Sequence, residues 1–172
     1  NENSCLGGED AYGASKAAQE IITLPFIKTY HLKIATSRSG NVIGGGEYNN
    51  LRIVPEIING IFKNKKIELR NPEYTRPWQH VLEVNYNYLQ LLMKLYKNKN
   101  YSGAWNFGPS KSYTVERVVS EFLKLNPKKK VYITKKKNHY SNLEKKFLKI
   151  SSSKSKKNNF KNIYNLSKIV NL

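Results

Sequence analysis

A capped helix near the start of the chain constrains it most. Asp10 precedes Ala11-Tyr-Gly-Ala-Ser-Lys-Ala-Ala-Gln-Glu20, and an Asp ahead of such a run reads as an N-cap. Residues four apart on a helix share a face, one turn above the other. Tyr12 and Lys16 are so placed. A free phenol titrates near ~10 and is a poor base at neutral pH, but an ammonium beside it favours the phenolate. A Tyr in that company can exchange a proton with a sugar hydroxyl while a hydride moves to or from a nicotinamide. The spacing also arises by chance in a chain with 12 Tyr and 25 Lys, so its meaning depends on the residues that accompany it.

The 172 residues suffice for one domain with a core, and 39% hydrophobic and 12% aromatic content describe a globular chain. The chain opens on polar residues without an initiator Met or a signal-peptide pattern, as though cut from something longer. No apolar run approaches the ~20 residues a membrane span needs, so no membrane partner is expected. The lone Cys5 excludes an internal disulfide and suits a cytoplasmic protein. His31, His80 and His139 have no metal-ligand spacing, and no metal is expected.

The net charge of +18 raises a nucleic-acid reading. Residues 127–172 hold 14 Lys and a single acid, Glu144, which leaves +5 for residues 1–126. A Lys, Asn, Ile and Tyr bias of this kind is what an AT-rich genome writes into tolerant positions. Nucleic acid is therefore not the expected partner, and a polyanion-binding tail is the competing reading.

Along the chain, the first helix continues through Ile21 and Ile22, with Pro25 expected to kink it or start a new turn. His31–Arg38 reads as a strand, followed by the glycine-rich loop Ser39–Glu47. That loop has neither the Gly-x-Gly-x-x-Gly nor the Walker spacing. Arg52–Phe62 reads as a helix burying Ile57, Ile58, Ile61 and Phe62, and Lys65–Arg70 as a strand. A long helix over about Leu82–Tyr96 carries Val84, Tyr88, Leu91, Leu92 and Leu95 on one side. Asn100–Pro109 holds a short strand, Thr114 caps a helix through Leu125, and Lys130–Thr134 reads as a strand. Glu144–Ile150 is a further strand candidate, and a Lys-rich helical segment starts at Ser151.

Together these residues resemble the extended short-chain dehydrogenase/reductase family, the nucleotide-sugar epimerases and dehydratases. The motifs are Tyr12-x-x-x-Lys16, Ser39-Gly-Asn-Val-Ile-Gly-Gly-Gly46, Arg52-Ile-Val-Pro55, Arg70-Asn-Pro72, Arg76-Pro-Trp-Gln-His-Val81 and Trp105-Asn-Phe-Gly-Pro109. In that order they look most like the 4,6-dehydratases acting on CDP-glucose, over roughly residues 2–157. The resemblance implies an α/β fold: part of a doubly wound, Rossmann-like NAD(P)-binding domain with the smaller substrate-binding domain. It puts the catalytic helix and sheet in residues 1–50, mostly nucleotide-sugar binding in 51–150, and a Lys-rich truncated segment in 151–172. Phe160, Asn162 and Tyr164 stand where the family tends to place Trp, Pro and Trp.

The resemblance also implies NAD as cofactor, CDP-glucose as substrate, a homo-oligomeric parent enzyme and a role in deoxysugar biosynthesis. Tyr12 would take the C4 hydroxyl proton as the C4 hydride leaves for NAD. Water would then be lost across C5 and C6, and the hydride would return to C6. Lys16 would support the phenolate and hydrogen-bond the nicotinamide ribose. Asn41 would contact the phosphate region, Arg76 would grip the pyrophosphate with Asn106 beside it, and Arg52 would reach the nucleotide. Other nucleotide-sugar dehydratases or epimerases, or a non-catalytic binding remnant, are the alternatives. The glycine-rich phosphate loop, the ribose-binding acid and the dehydration carboxylates lie upstream in that family. The 172 residues alone are thus expected to be inactive, with unpaired sheet edges and exposed apolar faces.

Overall fold

Asp10 accepts a hydrogen bond from the Gly13 amide at 2.9 Å and starts α1, Ala11–Tyr30. The computed structural model describes residues 1–49, 51–125, 127, 133–135 and 144–171. Pro25, where a kink or a new turn was expected, sits inside α1, which runs on to Tyr30, and His31 closes the helix in the left-handed region. β1 (Ala35–Ser39) and β2 (Asn41–Ile43) follow, then α2 (Ile53–Lys63) and β3 (Ile67–Leu69). Next come β4 (Thr75–Arg76), β5 (Trp78–His80), α3 (Val81–Lys97), β6 (Gly103–Phe107) and β7 (Tyr113–Thr114). The chain continues with α4 (Val115–Lys124), β8 (Ile133–Lys135), α5 (Ser153–Lys157) and α6 (Leu166–Asn171).

The strands pair as β1–β6, β2–β5 and β3–β8 in parallel and β4–β7 in antiparallel. Parallel pairing requires long crossovers, which α2 and α3 help to supply. β2, β4 and β5 were not legible as strands, being only two or three residues long. Of the strand read over Lys130–Thr134, β8 is seen, while residues 130–132, like His139, lie outside the described residues. Glu144–Ile150 forms no strand, only a bridge between Phe147 and Thr75.

Two apolar clusters carry the packing. The larger joins Ile57 and Ile61 of α2, Ile67 and Leu69 of β3, Trp78, and Val118 and Val119 of α4 to Leu166, Ile169 and Val170 of α6. The smaller joins Leu91, Trp105, Phe107 and Phe160. Phe160 meets Phe107 edge-on at 5.1 Å between ring centres and Trp105 at 5.5 Å, within the range of favourable aromatic pairs. The final segment thus supplies side chains to both clusters. The helices bury narrower stripes than periodicity suggested, since Ile58, Phe62 and Leu92 are exposed. α1 buries only Ala17 and Glu20 and exposes Ile21, Ile22, Phe26 and Tyr30. No helix among the described residues is long and apolar enough to cross a membrane.

Glu20 anchors α1 to the sheet. Its carboxylate accepts from Arg38 Nε at 2.6 Å and Nη2 at 2.8 Å, and from the Thr36 hydroxyl at 3.0 Å. The Arg38 hydrogen bonds, reinforced by Thr36, hold the Glu20 carboxyl below the usual carboxylate range against the opposing effect of burial. Folded protein then binds that proton less readily than unfolded chain. The pair stabilises above the ordinary carboxylate range, and this is lost as pH falls through the lower folded value. Glu20→Gln should lower unfolding stability at neutral pH by about 2 kcal/mol and flatten the stability loss below about pH 4, read from denaturation curves across pH. Phe160→Ala should cost about 3 kcal/mol or more by leaving a cavity between Trp105 and Phe107, measured the same way.

Candidate functional site

The cap at Asp10 fixes where α1 starts, and the helix pitch then presents Tyr12 and Lys16 together. Lys16 Nζ lies 5.7 Å from the Tyr12 ring centre and 3.5 Å from Gln19 Oε1. Tyr12 is 69% exposed. A phenol and an ammonium, both donors of hydrogen bonds and both open to solvent, suit a ribose and a sugar hydroxyl.

A second group forms where β2 and β5 meet. The Asn41 amide donates to the Pro77 carbonyl at 2.9 Å, and Asn41 pairs in register with Trp78. Gly40 lies so close to Pro77 that a methyl group there would run into the Pro77 carbonyl. Its amide donates to Gln79 Oε1 at 2.9 Å. Asn41, Arg52, Arg70, Asn71, Arg76 and Trp78 line one pocket, together with the carboxylates of Glu56, Glu68 and Glu144. Guanidinium groups suit the oxygens of a diphosphate, and here they share the lining with acids.

Asn41, Arg52 and Arg76 therefore share one pocket lining. Tyr12 and Lys16 stand apart from this pocket on α1, and Asn106 does not line it. β6 pairs with β1, so Asn106 faces Arg38 in register, and its amide donates to Glu2 Oε1 at 3.0 Å. Its side-chain oxygen is buried without a partner. A second correction concerns Arg76. Rather than open to a ligand, its guanidinium is 8% exposed and bonded to Glu144 at 2.6 Å. His80 caps α3 through Nδ1, which accepts from the Leu82 amide at 3.2 Å.

Arg70, Asn71, Gln79 and Glu144 were not singled out from the sequence. Arg70 and Asn71 stood inside a quoted motif. Glu144 carried a signal too, as the single acid among the 14 Lys of residues 127–172. Nothing local marks Gln79, whose role is visible only once β2 and β5 pair.

Residues 2–108 match the NAD dependent epimerase/dehydratase family. The chain belongs to this family. It is 35% identical over 136 residues to the CDP-glucose 4,6-dehydratase of Salmonella typhimurium, covering 72% of this chain and 38% of that protein. A dTDP-D-glucose 4,6-dehydratase of Dictyostelium discoideum is 35% identical over 66 residues, 38% of this chain and 15% of that protein. Among solved structures, the dTDP-glucose 4,6-dehydratase of Bacillus anthracis in complex with NAD superposes with a TM-score of 0.83. It is 22% identical and the match covers 99% of this chain and 52% of that one. The UDP-glucose-4-epimerase of Stenotrophomonas maltophila gives a TM-score of 0.81 at 17% identity, over 99% of this chain and 57% of that one. The chain thus spans about half the length of the solved structures it matches, and less of the curated relatives. These likenesses establish the partial Rossmann-like α/β fold. Four strand pairs, three of them parallel, agree with it.

Gly40→Ala should push the Pro77 carbonyl away and lift β2 from β5, at a cost of about 2 kcal/mol. Denaturation curves check this.

Proposed function

We propose that this chain supplies the catalytic helix and the sugar-nucleotide pocket of a nucleotide-sugar 4,6-dehydratase whose substrate is CDP-glucose. The observation that carries this reading is the pairing of Tyr12 and Lys16 on the exposed, capped start of α1, in a chain that also gathers Asn41, Arg52, Arg70 and Arg76 around one pocket. The 35% identity to a CDP-glucose 4,6-dehydratase supports the choice of nucleotide and reaction.

The exposed phenol and ammonium fit a nicotinamide ribose as donors. NAD, when bound, supplies the hydride acceptor. Lys16 donates to ribose hydroxyls and holds positive charge beside the Tyr12 ring. Tyr12 accepts the proton from the sugar C4 hydroxyl and passes it on to solvent, since the product keeps its C4 ketone; this offsets the proton carried off with the C6 hydroxyl as water. The ketone so formed at C4 acidifies the C5 proton and makes loss of water across C5 and C6 feasible. Arg52 and Arg70 are exposed and hold the diphosphate, with Arg76 beneath them, and Trp78 forms an apolar wall. A homo-oligomeric, cytoplasmic enzyme belongs to the same reading.

In the full-length gene product, Tyr12→Phe should lower kcat for CDP-glucose on the order of a hundredfold or more, with KM little changed. Formation of the 4-keto-6-deoxy sugar is the readout. Full activity in this variant would remove Tyr12 from the proton transfer.

A further inference from the structure

The Arg76 guanidinium is engaged by the protein itself. Nη1 donates to the Thr75 carbonyl at 2.8 Å and the Lys145 carbonyl at 2.9 Å. Nη2 donates to Glu144 Oε1 at 2.6 Å, and the other carboxylate oxygen accepts from Asn71 Nδ2 at 2.9 Å. The Arg76 side chain is 8% exposed, whereas that of Glu144 is 51% exposed. The cation is therefore buried and its anion partly faces water.

Arg52 and Arg70 line the same pocket and are exposed. Arg70 donates a long 3.4 Å hydrogen bond to the Leu51 carbonyl. The pocket thus holds three guanidiniums among three carboxylates, Glu56, Glu68 and Glu144, and the most buried guanidinium is paired with Glu144. A phosphate oxygen offers Arg the same charged acceptor as a carboxylate oxygen. Glu144 accepts one of the two Nη2 hydrogens of Arg76, so a ligand anion seeking that position competes with Glu144.

The same pair ties down a stretch of backbone. The Thr75 amide donates to the Lys146 carbonyl at 3.0 Å, and the Leu148 amide donates to the Thr75 carbonyl at 3.2 Å. Residues 144–148 are held against β4 by these bonds and by the Arg76–Glu144 clasp.

We propose that Glu144 is a resident anion seated at the phosphate position of Arg76, and that a diphosphate binds this pocket by exchanging for it. The identity of the ligand as a diphosphate rests on the proposed dehydratase function; the clasp itself does not. A diphosphate has one charged group for Arg76 and a second for the exposed Arg52 and Arg70. A monophosphate must displace Glu144 without that second attachment, so the clasp selects for the diphosphate. Exchange also frees the Glu144 end of the 144–148 stretch.

The test uses the full-length gene product and inorganic pyrophosphate, which has no ribose or base for Glu144 to contact. Glu144→Gln keeps the side-chain shape and the hydrogen bond to Asn71 but removes the charge. Pyrophosphate should bind about fivefold more tightly to the variant than to the unaltered protein, measured by calorimetry. Equal or weaker binding would overturn the proposal. If the variant does not fold, hydrogen exchange on the unaltered protein decides: saturating pyrophosphate should speed exchange at the Leu148 amide, and unchanged or slower exchange would overturn it. CDP-glucose turnover is followed in parallel. Tighter binding by the variant with no turnover by the unaltered protein leaves the clasp standing and the dehydratase reading failed, and turnover by the unaltered protein without the affinity gain does the reverse.

Discussion

The arrangement depends on the buried carboxylate of Glu83. It is 2% exposed, and it accepts from the Ile163 amide at 2.6 Å, the Tyr164 amide at 2.9 Å and the Gln79 side chain at 3.2 Å. A buried carboxylate requires donors such as these. Gln79 in turn receives the Gly40 amide, so a chain of hydrogen bonds runs from residues 163 and 164 through α3 to the loop that sets Asn41. One turn further along α3, Asn87 donates to the Lys161 carbonyl at 3.2 Å. The apolar clusters supply the bulk of the packing. This polar ladder ties the final segment to α3 and to β5.

The final segment also shows how charge is used. Lys154 donates to the Ala104 carbonyl at 2.7 Å, and its ammonium lies 4.0 Å above the Trp105 ring. Burial pushes this ammonium below the usual lysine range. It belongs to the packing around Trp105 even though composition made it one of many solvated lysines. Glu121 is likewise clasped, first by Lys124 and then by Arg117, each at 2.8 Å, and its carboxyl is held below the usual range. Phe160, Asn162 and Tyr164, which depart from the family pattern, still fill or bond their surroundings. Asn162 donates to the Gly108 carbonyl, and Tyr164 lies 5.5 Å edge-on from His80.

Local chemistry was legible in the sequence where it was enough to decide structure. The Asp10 and Thr114 caps, the pitch joining Tyr12 to Lys16, and the helices over α2, α3 and α4 needed only neighbouring residues. What escaped depends on partners far along the chain. β2 and β5 are strands because they find each other across some forty residues, as does Gly40 with Gln79. The motifs suggest Asn106 beside Arg76, yet strand order puts it opposite Arg38. Glu144 gained its role from Arg76, sixty-eight positions away in sequence.

In the function we propose, Tyr12 and Lys16 on α1 and the pocket of Arg52, Arg70 and Arg76 serve one dehydration. CDP-glucose deuterated at C4, given to the full-length gene product, tests this most directly, with the product followed by NMR. Deuterium appearing at C6 of a 4-keto-6-deoxy sugar is the predicted result. Deuterium kept at C4, or lost to solvent, would contradict the account.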